Sequence, residues 1–285
     1  MTWWCSASTE PWSWGFRAYP GIWVLMTALI VGYVAIWRRH RPQTLTAADR
    51  RKPLWFGLGM AVLWGATDWP LGTLGAGYLA SAHMVQYMLY TLVAGPLLLL
   101  GTPEWVARPV VTRLRLEGVL RIAAKPLVAG VVFNLILLGT HAPFTVDTFR
   151  ASQFGSFTLD MLWIGSGLLL WLPLLGPLPE HVHPSPAVRC IYLFLASGAL
   201  PMVPGGIITF SSFPLYATYE LAPRVHDISA TTDQQAAGIL MKIGNIPIVW
   251  GYIFVTFVRW ATTDRQASAT TARQQRSTPE PLARH

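Results

Sequence analysis

Charge is scarce in this sequence. Only 12% of its 285 residues are charged and only 13 are acidic, whereas 53% are hydrophobic. The mean hydropathy is correspondingly high, at +0.41. Soluble domains carry roughly twice this share of charged residues. The composition therefore excludes an ordinary soluble domain and indicates a protein that is embedded in a membrane.

Patterns that mark enzymes and nucleic-acid binders are also missing. The sequence has no glycine-rich phosphate loop, and no nucleophile, base and orienting residue stand at a readable spacing. Its two cysteines, Cys5 and Cys190, are far apart and form no CxxC pattern. The basic residues lie between apolar runs and not on one solvated face with aromatics. We therefore expect neither an enzyme nor a nucleic-acid-binding protein.

Long apolar segments dominate what is present. A helix needs roughly 20 mostly apolar residues to cross the hydrocarbon layer of a bilayer. Seven segments approach or exceed this length: 19–37, 54–69, 78–100, 126–140, 159–175, 188–208 and 235–260. We predict an all-α polytopic integral membrane helix bundle of about seven transmembrane helices. The prolines and glycines of 201–206, PMVPGG, should kink or break the sixth helix.

The basic residues predict the orientation of the bundle. Successive connecting segments alternate between the two sides of the membrane. One side then holds the linkers 38–52 and 108–125 and the C-terminus, with seventeen Lys or Arg residues, and the other side holds three. The positive-inside rule then places the N-terminus outside and the C-terminus in the cytoplasm. The expected division is a short external N-terminal segment, 1–18, a membrane domain, 19–261, and a disordered cytoplasmic tail, 262–285.

Ionisable residues other than the linker cations gather on the predicted external side. His83 begins the third predicted helix and His141 ends the fourth, while Asp68 ends the second and Asp233 precedes the seventh. Such groups are costly at membrane depth, so they are paired, face a wet cavity or serve a function. One interpretation is a metal site that the outer helix ends form together.

The candidate ligands of that site are imidazoles, thioethers and carboxylates: His83, His141, Met84, Met88, Met241, Asp68 and Asp233. Imidazole with thioether suits copper, Cu(I) in particular, whereas imidazole with carboxylate suits zinc or oxidised copper. Carboxylates also commonly hold the tautomer of a ligating histidine. The other interpretation is structural: the histidines bond to carbonyls, the aspartates cap helices and the methionines pack. Residue types alone leave both interpretations open.

Five motifs in series carry a family resemblance. They are HMVQYMLYTLVAGPLLLLGTP (83–103), FNLILLGTHAP (133–143), WLPLLGP (171–177), FPLYATY (213–219) and DQQAAGILM (233–241). In order and spacing they resemble the CtaG family of cytochrome c oxidase assembly factors, of the type found beside caa-type oxidases. The resemblance covers roughly 19–260.

This resemblance implies a membrane-bound factor that matures a heme-copper cytochrome c oxidase, assisting copper delivery or insertion at the external face of a bacterial plasma (inner) membrane. The implied partners are the oxidase subunits, a periplasmic copper chaperone and the lipid bilayer. His83, His141 and Met241 match family positions, as do Asp233, Gln234 and Gln235 of the DQQ element. We expect Gln234, Gln235 and His226 to support the site or to dock the partner.

Two positions depart from the family pattern. Tyr87 stands where the family has a second histidine, four residues after the first, and Thr140 stands where a tryptophan precedes the fourth-helix histidine. Losing the second histidine removes a ligand from the same helix face. Two other functions therefore stay open: a non-catalytic accessory or docking subunit that binds no metal, and a transporter of small solutes or metal, although no internal repeat supports the latter.

Overall fold

The structure is a computed structural model that describes residues 2–225 and 227–277, with side chains as far as Asp264. His226, predicted to support the site or dock a partner, lies outside the described residues, as does the end of the predicted tail, 278–285. The described residues form helices and no strand, so the predicted all-α class is confirmed.

The helices follow one another with short connections. In chain order they are α1 Pro20–His40, α2 Ala47–Thr67, α3 Leu71–Gly77, α4 Ala80–Gly101, α5 Glu104–Arg113, α6 Glu117–Ala123, α7 Pro126–Thr140, α8 Pro143–Arg150, α9 Gln153–Leu175, α10 Pro186–Phe210, α11 Ala217–Glu220, α12 Ala230–Ile243 and α13 Ile246–Ser277. Helix α13 runs past residue 261, where the membrane domain was expected to end. The division into three parts stays a prediction.

Five helical stretches of the described chain are long and apolar enough to cross a membrane. They are α1, α4, α9, α10 and Ala230–Asp264, which joins α12 to α13. Helices α6 and α7 meet the same criteria only as a pair, bent by 84°. The bend lies at Lys125, whose backbone is extended because proline follows it. The count of seven spans and the orientation of the termini stay predictions.

Helix α2 is long enough to span a bilayer, but its first turns are polar. A capping box opens it, because the Thr46 hydroxyl accepts from the backbone N–H of Asp49 while the Asp49 carboxylate accepts from the backbone N–H of Thr46. Charged residues follow directly, at Arg50, Arg51 and Lys52. These charged side chains favour an aqueous position for the start of α2, and only the later part of the helix is apolar.

The sixth predicted span is irregular next to its prolines. Helix α10 contains a wide, π-helical turn at Phe194–Ala199, in which the N–H of Leu200 bonds to the carbonyl of Leu195, five residues earlier. Pro201 has no N–H for the carbonyl of Ser197, and the side chain of Asn245 bonds to that carbonyl instead, at 2.7 Å. The irregular turn therefore directly precedes the predicted break at 201–206, and α10 resumes at Met202.

One end of the bundle gathers the polar residues, and we call it the histidine end. It comprises the C-terminal ends of α2 and α7, the N-terminal ends of α4, α9 and α12, and the loops that join them. The N-terminal segment, residues 2–18, packs onto this end: Trp4 and Cys5 are buried, and the N–H of Ala7 bonds to the carbonyl of Arg150. Burial raises the pKa of the Cys5 thiol to about 12, which makes it a poor metal ligand.

Candidate functional site

Two histidines from separate helices meet at the histidine end. His83 lies in the first turns of α4, and His141 directly follows α7. Both side chains are buried, and their ring centroids are 5.5 Å apart at a steep interplanar angle of 85°. Residues 58 positions apart in sequence are thus neighbours in the bundle. The geometric condition for a shared metal ion, that the two imidazoles lie on the same side of the bundle, is met.

Hydrogen bonds fix the tautomer of His141. Its Nδ1 lies 2.8 Å from the carbonyl oxygen of Leu137, one turn earlier in α7. A carbonyl only accepts, so Nδ1 carries the hydrogen and Nε2 keeps its lone pair. This Nε2 atom is buried and has no hydrogen-bond partner among the described residues. Buried polar atoms are nearly always paired, so this atom suits an ion or another ligand.

Tyr219 holds His83 in the same tautomer. The tyrosine hydroxyl lies 2.8 Å from the carbonyl oxygen of Gly75 and 2.5 Å from Nδ1 of His83. The hydroxyl has one hydrogen, which goes to the carbonyl because the carbonyl only accepts, so Nδ1 of His83 donates to the hydroxyl oxygen. Nε2 of His83 then keeps its lone pair as well. Both imidazoles are neutral donors of the kind that ligate metals.

Hydrogen bonds fix the short helix α11, which carries Tyr219, next to the histidines. Asp147 accepts from the backbone N–H groups of Ala217 and Thr218 and from the Thr218 hydroxyl, at 3.2, 2.8 and 2.8 Å. The hydroxyl of Tyr216 donates to the carbonyl of His141 at 2.8 Å. This short helix, α11, therefore closes the histidine pair from one side, and the chemistry of the pair depends on its position.

Two aromatic side chains line the histidine pair. The ring of Trp163 lies 4.7 Å from that of His83 and 5.7 Å from that of His141, centroid to centroid. The ring of Tyr87 lies 4.7 Å from that of His141, and its buried hydroxyl has no described partner. Trp163 donates from Nε1 to the hydroxyl of Thr140 at 2.9 Å. The two positions that depart from the family pattern, Tyr87 and Thr140, are thus both part of this site.

A fully buried ion pair adjoins the aromatic wall. Nη2 of Arg150 lies 3.2 Å from Oδ1 of Asp160, and both side chains are inaccessible to solvent. Trp4 of the N-terminal segment donates from Nε1 to Oδ2 of Asp160 at 2.8 Å. The Arg150 guanidinium lies over the ring of Trp163, 5.0 Å from its centroid, and its Nη2 also donates to Gln86 at 3.3 Å. The pair is neutral as a unit, although Arg150 places a positive charge close to the histidines.

This ion pair was not predicted from the sequence. Arg150 is one of the three basic residues on the predicted external side, and the predicted fifth span, 159–175, would put Asp160 at its start. In the structure α9 begins at Gln153, behind the Ser152 cap, and buries Asp160 inside the bundle. A signal was present in the spacing. An acidic residue inside an apolar segment needs a cation, and Arg150, ten residues earlier, is the nearest basic residue in sequence.

The three candidate thioethers line one small cavity. Met84, Met88 and Met241 share this cavity of about 20 Å³ with Tyr87, whose ring also contacts His141. Met84 and Met241 are buried. Met88 is held against α12, since its Sδ would lie 3.0 Å from a Cβ placed on Gly244. The methionines therefore share a cavity with Tyr87, and Tyr87 links this cavity to the histidine pair.

The two carboxylates serve helix ends. Asp233 accepts from the N–H of Ala80 at 2.6 Å and from the N–H and hydroxyl of Ser81, so it caps α4 from α12. Asp68 accepts from Nε1 of Trp23 and of Trp64 at 2.7 and 2.9 Å. Neither has a described contact with a histidine ring. Among the described residues, no three His, Cys, Asp or Glu side chains are close enough to hold a metal.

The two glutamines of the DQQ element hold the loop between α10 and α11. Gln234 accepts from the N–H of Leu215 at 2.6 Å and donates to the carbonyl of Phe213 at 3.2 Å, while Gln235 donates to the carbonyl of Ser211 at 3.2 Å. This loop continues into Tyr216 and Tyr219. The glutamines are therefore placed to support the histidine pair through the loop that covers it.

Comparison with known proteins gives the family. Residues 31–263 match the model of the cytochrome c oxidase caa3 assembly factor family, Caa3_CtaG. The chain belongs to this family. No curated protein and no solved structure matches the chain. The Caa3_CtaG match includes both histidines, the buried ion pair and the three methionines, whereas Trp4 and Cys5 lie before the matched residues.

Proposed function

We propose that this protein helps copper reach a copper centre of a heme-copper cytochrome c oxidase and holds the ion transiently between His83 and His141. Membership of an assembly-factor family supports the link to the oxidase. The single observation that carries the copper role is the pair of adjacent, buried imidazoles, of which His141 has an Nε2 atom without a partner. Copper would be an ion that the protein passes on, and not a cofactor that it retains.

The donor set favours Cu(I) over Cu(II) or zinc. Both imidazoles are neutral, the thioethers of Met84, Met88 and Met241 line a cavity that shares Tyr87 with the histidine pair, and the carboxylates are engaged elsewhere. Soft thioethers with imidazole select Cu(I), whereas divalent ions prefer carboxylate or further imidazole ligands. A monovalent ion also suffers less repulsion from the buried guanidinium of Arg150 than a divalent ion would.

With the predicted orientation this site would lie at the external face, and we propose a bacterial plasma membrane as its location. There it would receive copper from a periplasmic copper chaperone and pass it to the oxidase subunits. The ion would enter and leave past the segment of Tyr216 and Tyr219, which contacts both histidines. Asp68 and Asp233 would act as supporting carboxylates that hold the helix ends from which the ligands project.

Histidine substitution in the host tests the proposal. Replacing His83 or His141 by Ala should leave membrane insertion intact but lower the activity of the copper-dependent oxidase roughly tenfold or more, since even the partners of metal ligands contribute that much. His40→Ala is the matched control, because His40 is exposed at the end of α1 and lies far from the site. Normal activity in both single variants, at normal protein levels, would contradict the copper role.

A docking subunit that binds no metal is the second candidate function. It is favoured by the use of Asp68 and Asp233 in hydrogen bonds at helix ends, which leaves only two of the classical ligands at the site. In this case the histidine variants would retain oxidase activity while the protein still co-purified with the oxidase. The same experiment therefore separates the two functions.

A further inference from the structure

A second pocket lies at the end of the bundle opposite to the histidines. It has a volume of about 480 Å³ and lies where α9 ends, at Leu174 and Leu175, and where α10 begins, at Pro186. Helix α13 forms its third side. Because two helices begin or end here, the pocket lies at the depth where the chain leaves the hydrocarbon layer and enters the headgroup region.

Two arginines line this pocket without a carboxylate partner. No acidic side chain of the described residues lies within 4 Å of Arg189 or Arg259, and the buried Nε of Arg189 has no hydrogen-bond partner. Arg108, at the same end of the bundle, contrasts with them, because it pairs with both Glu104 and Glu180. Two unneutralised guanidinium groups in one pocket create a site for an anion.

The rest of the lining is apolar and aromatic. Leu174 and Leu175 form one wall, and Tyr252 and Trp260 stand on the α13 side with Arg259. Tyrosine and tryptophan are the residues that prefer the boundary between hydrocarbon and headgroups. The pocket therefore offers cations to a charged group and an apolar surface to a chain attached to it, which matches an amphiphile and not a free ion.

We propose that this pocket binds an anionic phospholipid, with its phosphodiester between Arg189 and Arg259 and an acyl chain along Leu174 and Leu175. Planar guanidinium groups match phosphate oxygens in geometry and charge. Basic pockets between transmembrane helices on the cytoplasmic side are a recurring form of lipid site. Such a lipid would also fill the space between α9, α10 and α13 and hold these helix ends together.

Lipid binding to the purified full-length protein tests the proposal. The probes are phosphatidylglycerol, phosphatidylcholine with the same acyl chains, and inorganic phosphate, each added in an uncharged detergent and followed by native mass spectrometry and by the melting temperature. Phosphatidylglycerol should form a one-to-one adduct and raise the melting temperature. The double variant Arg189→Gln, Arg259→Gln should bind it roughly ten- to thirty-fold more weakly.

The matched control is Arg108→Gln, Arg113→Gln, which removes the same charge from the same end but outside the pocket. It should bind phosphatidylglycerol like the unchanged protein. If the double pocket variant does not fold, the single variant Arg259→Gln, at an exposed residue, should still show weakened binding. Equal binding by pocket and control variants, equal stabilisation by phosphatidylcholine, or equal stabilisation by inorganic phosphate would each overturn the proposal. None of these outcomes bears on copper.

Discussion

At the scale of single residues, the key feature of the histidine end is which imidazole nitrogen of each histidine forms a hydrogen bond. A backbone carbonyl holds Nδ1 of His141, and the hydroxyl of Tyr219 holds Nδ1 of His83. Both arrangements leave Nε2 free to bind an ion. The bonds come from atoms that do not titrate near neutral pH, so the tautomers persist without a carboxylate beside either ring.

The buried ion pair makes the sharpest prediction at this scale. Asp160→Asn removes the counter-ion of Arg150 and leaves a guanidinium buried in a site with no other acidic group described in contact with it. Breaking a buried pair on one side lowers the free energy of unfolding by about 3–5 kcal/mol. We expect a loss of this size in mixed-micelle unfolding measurements.

The exposed ion pair of the N-terminal segment is the control for that experiment. Arg17 and Glu10 lie 3.5 Å apart, and Glu10 is largely exposed. Glu10→Gln should lower the free energy of unfolding by less than about 1 kcal/mol, because water screens surface pairs. Similar losses in the two variants would show that burial of the Arg150–Asp160 pair contributes nothing to stability.

At the scale of helices, the irregular turns are stabilised from neighbouring helices. The wide turn of α10 frees the carbonyl of Ala196, which accepts from Asn134 on α7 at 3.0 Å, and Pro201 frees the carbonyl of Ser197, which accepts from Asn245 at 2.7 Å. In α4 the wide turn at Leu89–Ala94 leaves the carbonyl of Thr91 to Nε1 of Trp171, at 2.9 Å. Irregular backbone persists at membrane depth because protein side chains satisfy it.

Substitutions of two glycines in α9 test how closely this helix packs against α4. A Cβ on Gly167 would lie 2.7 Å from Cα of Thr91 and 2.9 Å from the carbonyl oxygen of Tyr90, whereas a Cβ on Gly165 meets nothing within 4 Å. Gly167→Ala must push α4 away and should lower the free energy of unfolding by about 1–3 kcal/mol. Gly165→Ala should leave it unchanged or raise it by up to about 1 kcal/mol, through better helix propensity. Equal effects in unfolding measurements would contradict the close contact of α4 with α9.

Helices were predictable from the sequence to the extent that they depend on local apolar runs. The run 201–206 predicted a break in the sixth span, whereas the irregular turn lies just before it, at Phe194–Ala199, because Pro201 acts on the turn that precedes it. The residues that surround His83 and His141 were harder to predict from the sequence. Tyr219 and Arg150 reach the site from loops and helix ends distant in sequence, and no periodicity encodes such contacts. Asp233 was recognised as important, but only the fold shows it capping α4.

At the scale of the whole molecule, the two ends of the bundle have different chemistry. The histidine end has buried imidazoles, thioethers, one neutral ion pair and a covering N-terminal segment. The opposite end has the basic linkers and the arginine-lined pocket. This polarity follows the charge bias from which the positive-inside rule predicts the cytoplasmic side.

Copper content after loading with Cu(I) under reducing conditions tests the central claim most directly. The account predicts about one copper ion per chain in the unchanged protein and in His40→Ala, bound by imidazole and thioether donors. The double variant His83→Ala, His141→Ala should retain none after desalting while keeping its helical content. Copper retained at an equal level in the double variant, or no copper in the unchanged protein, would contradict the claim that the histidine pair holds the ion.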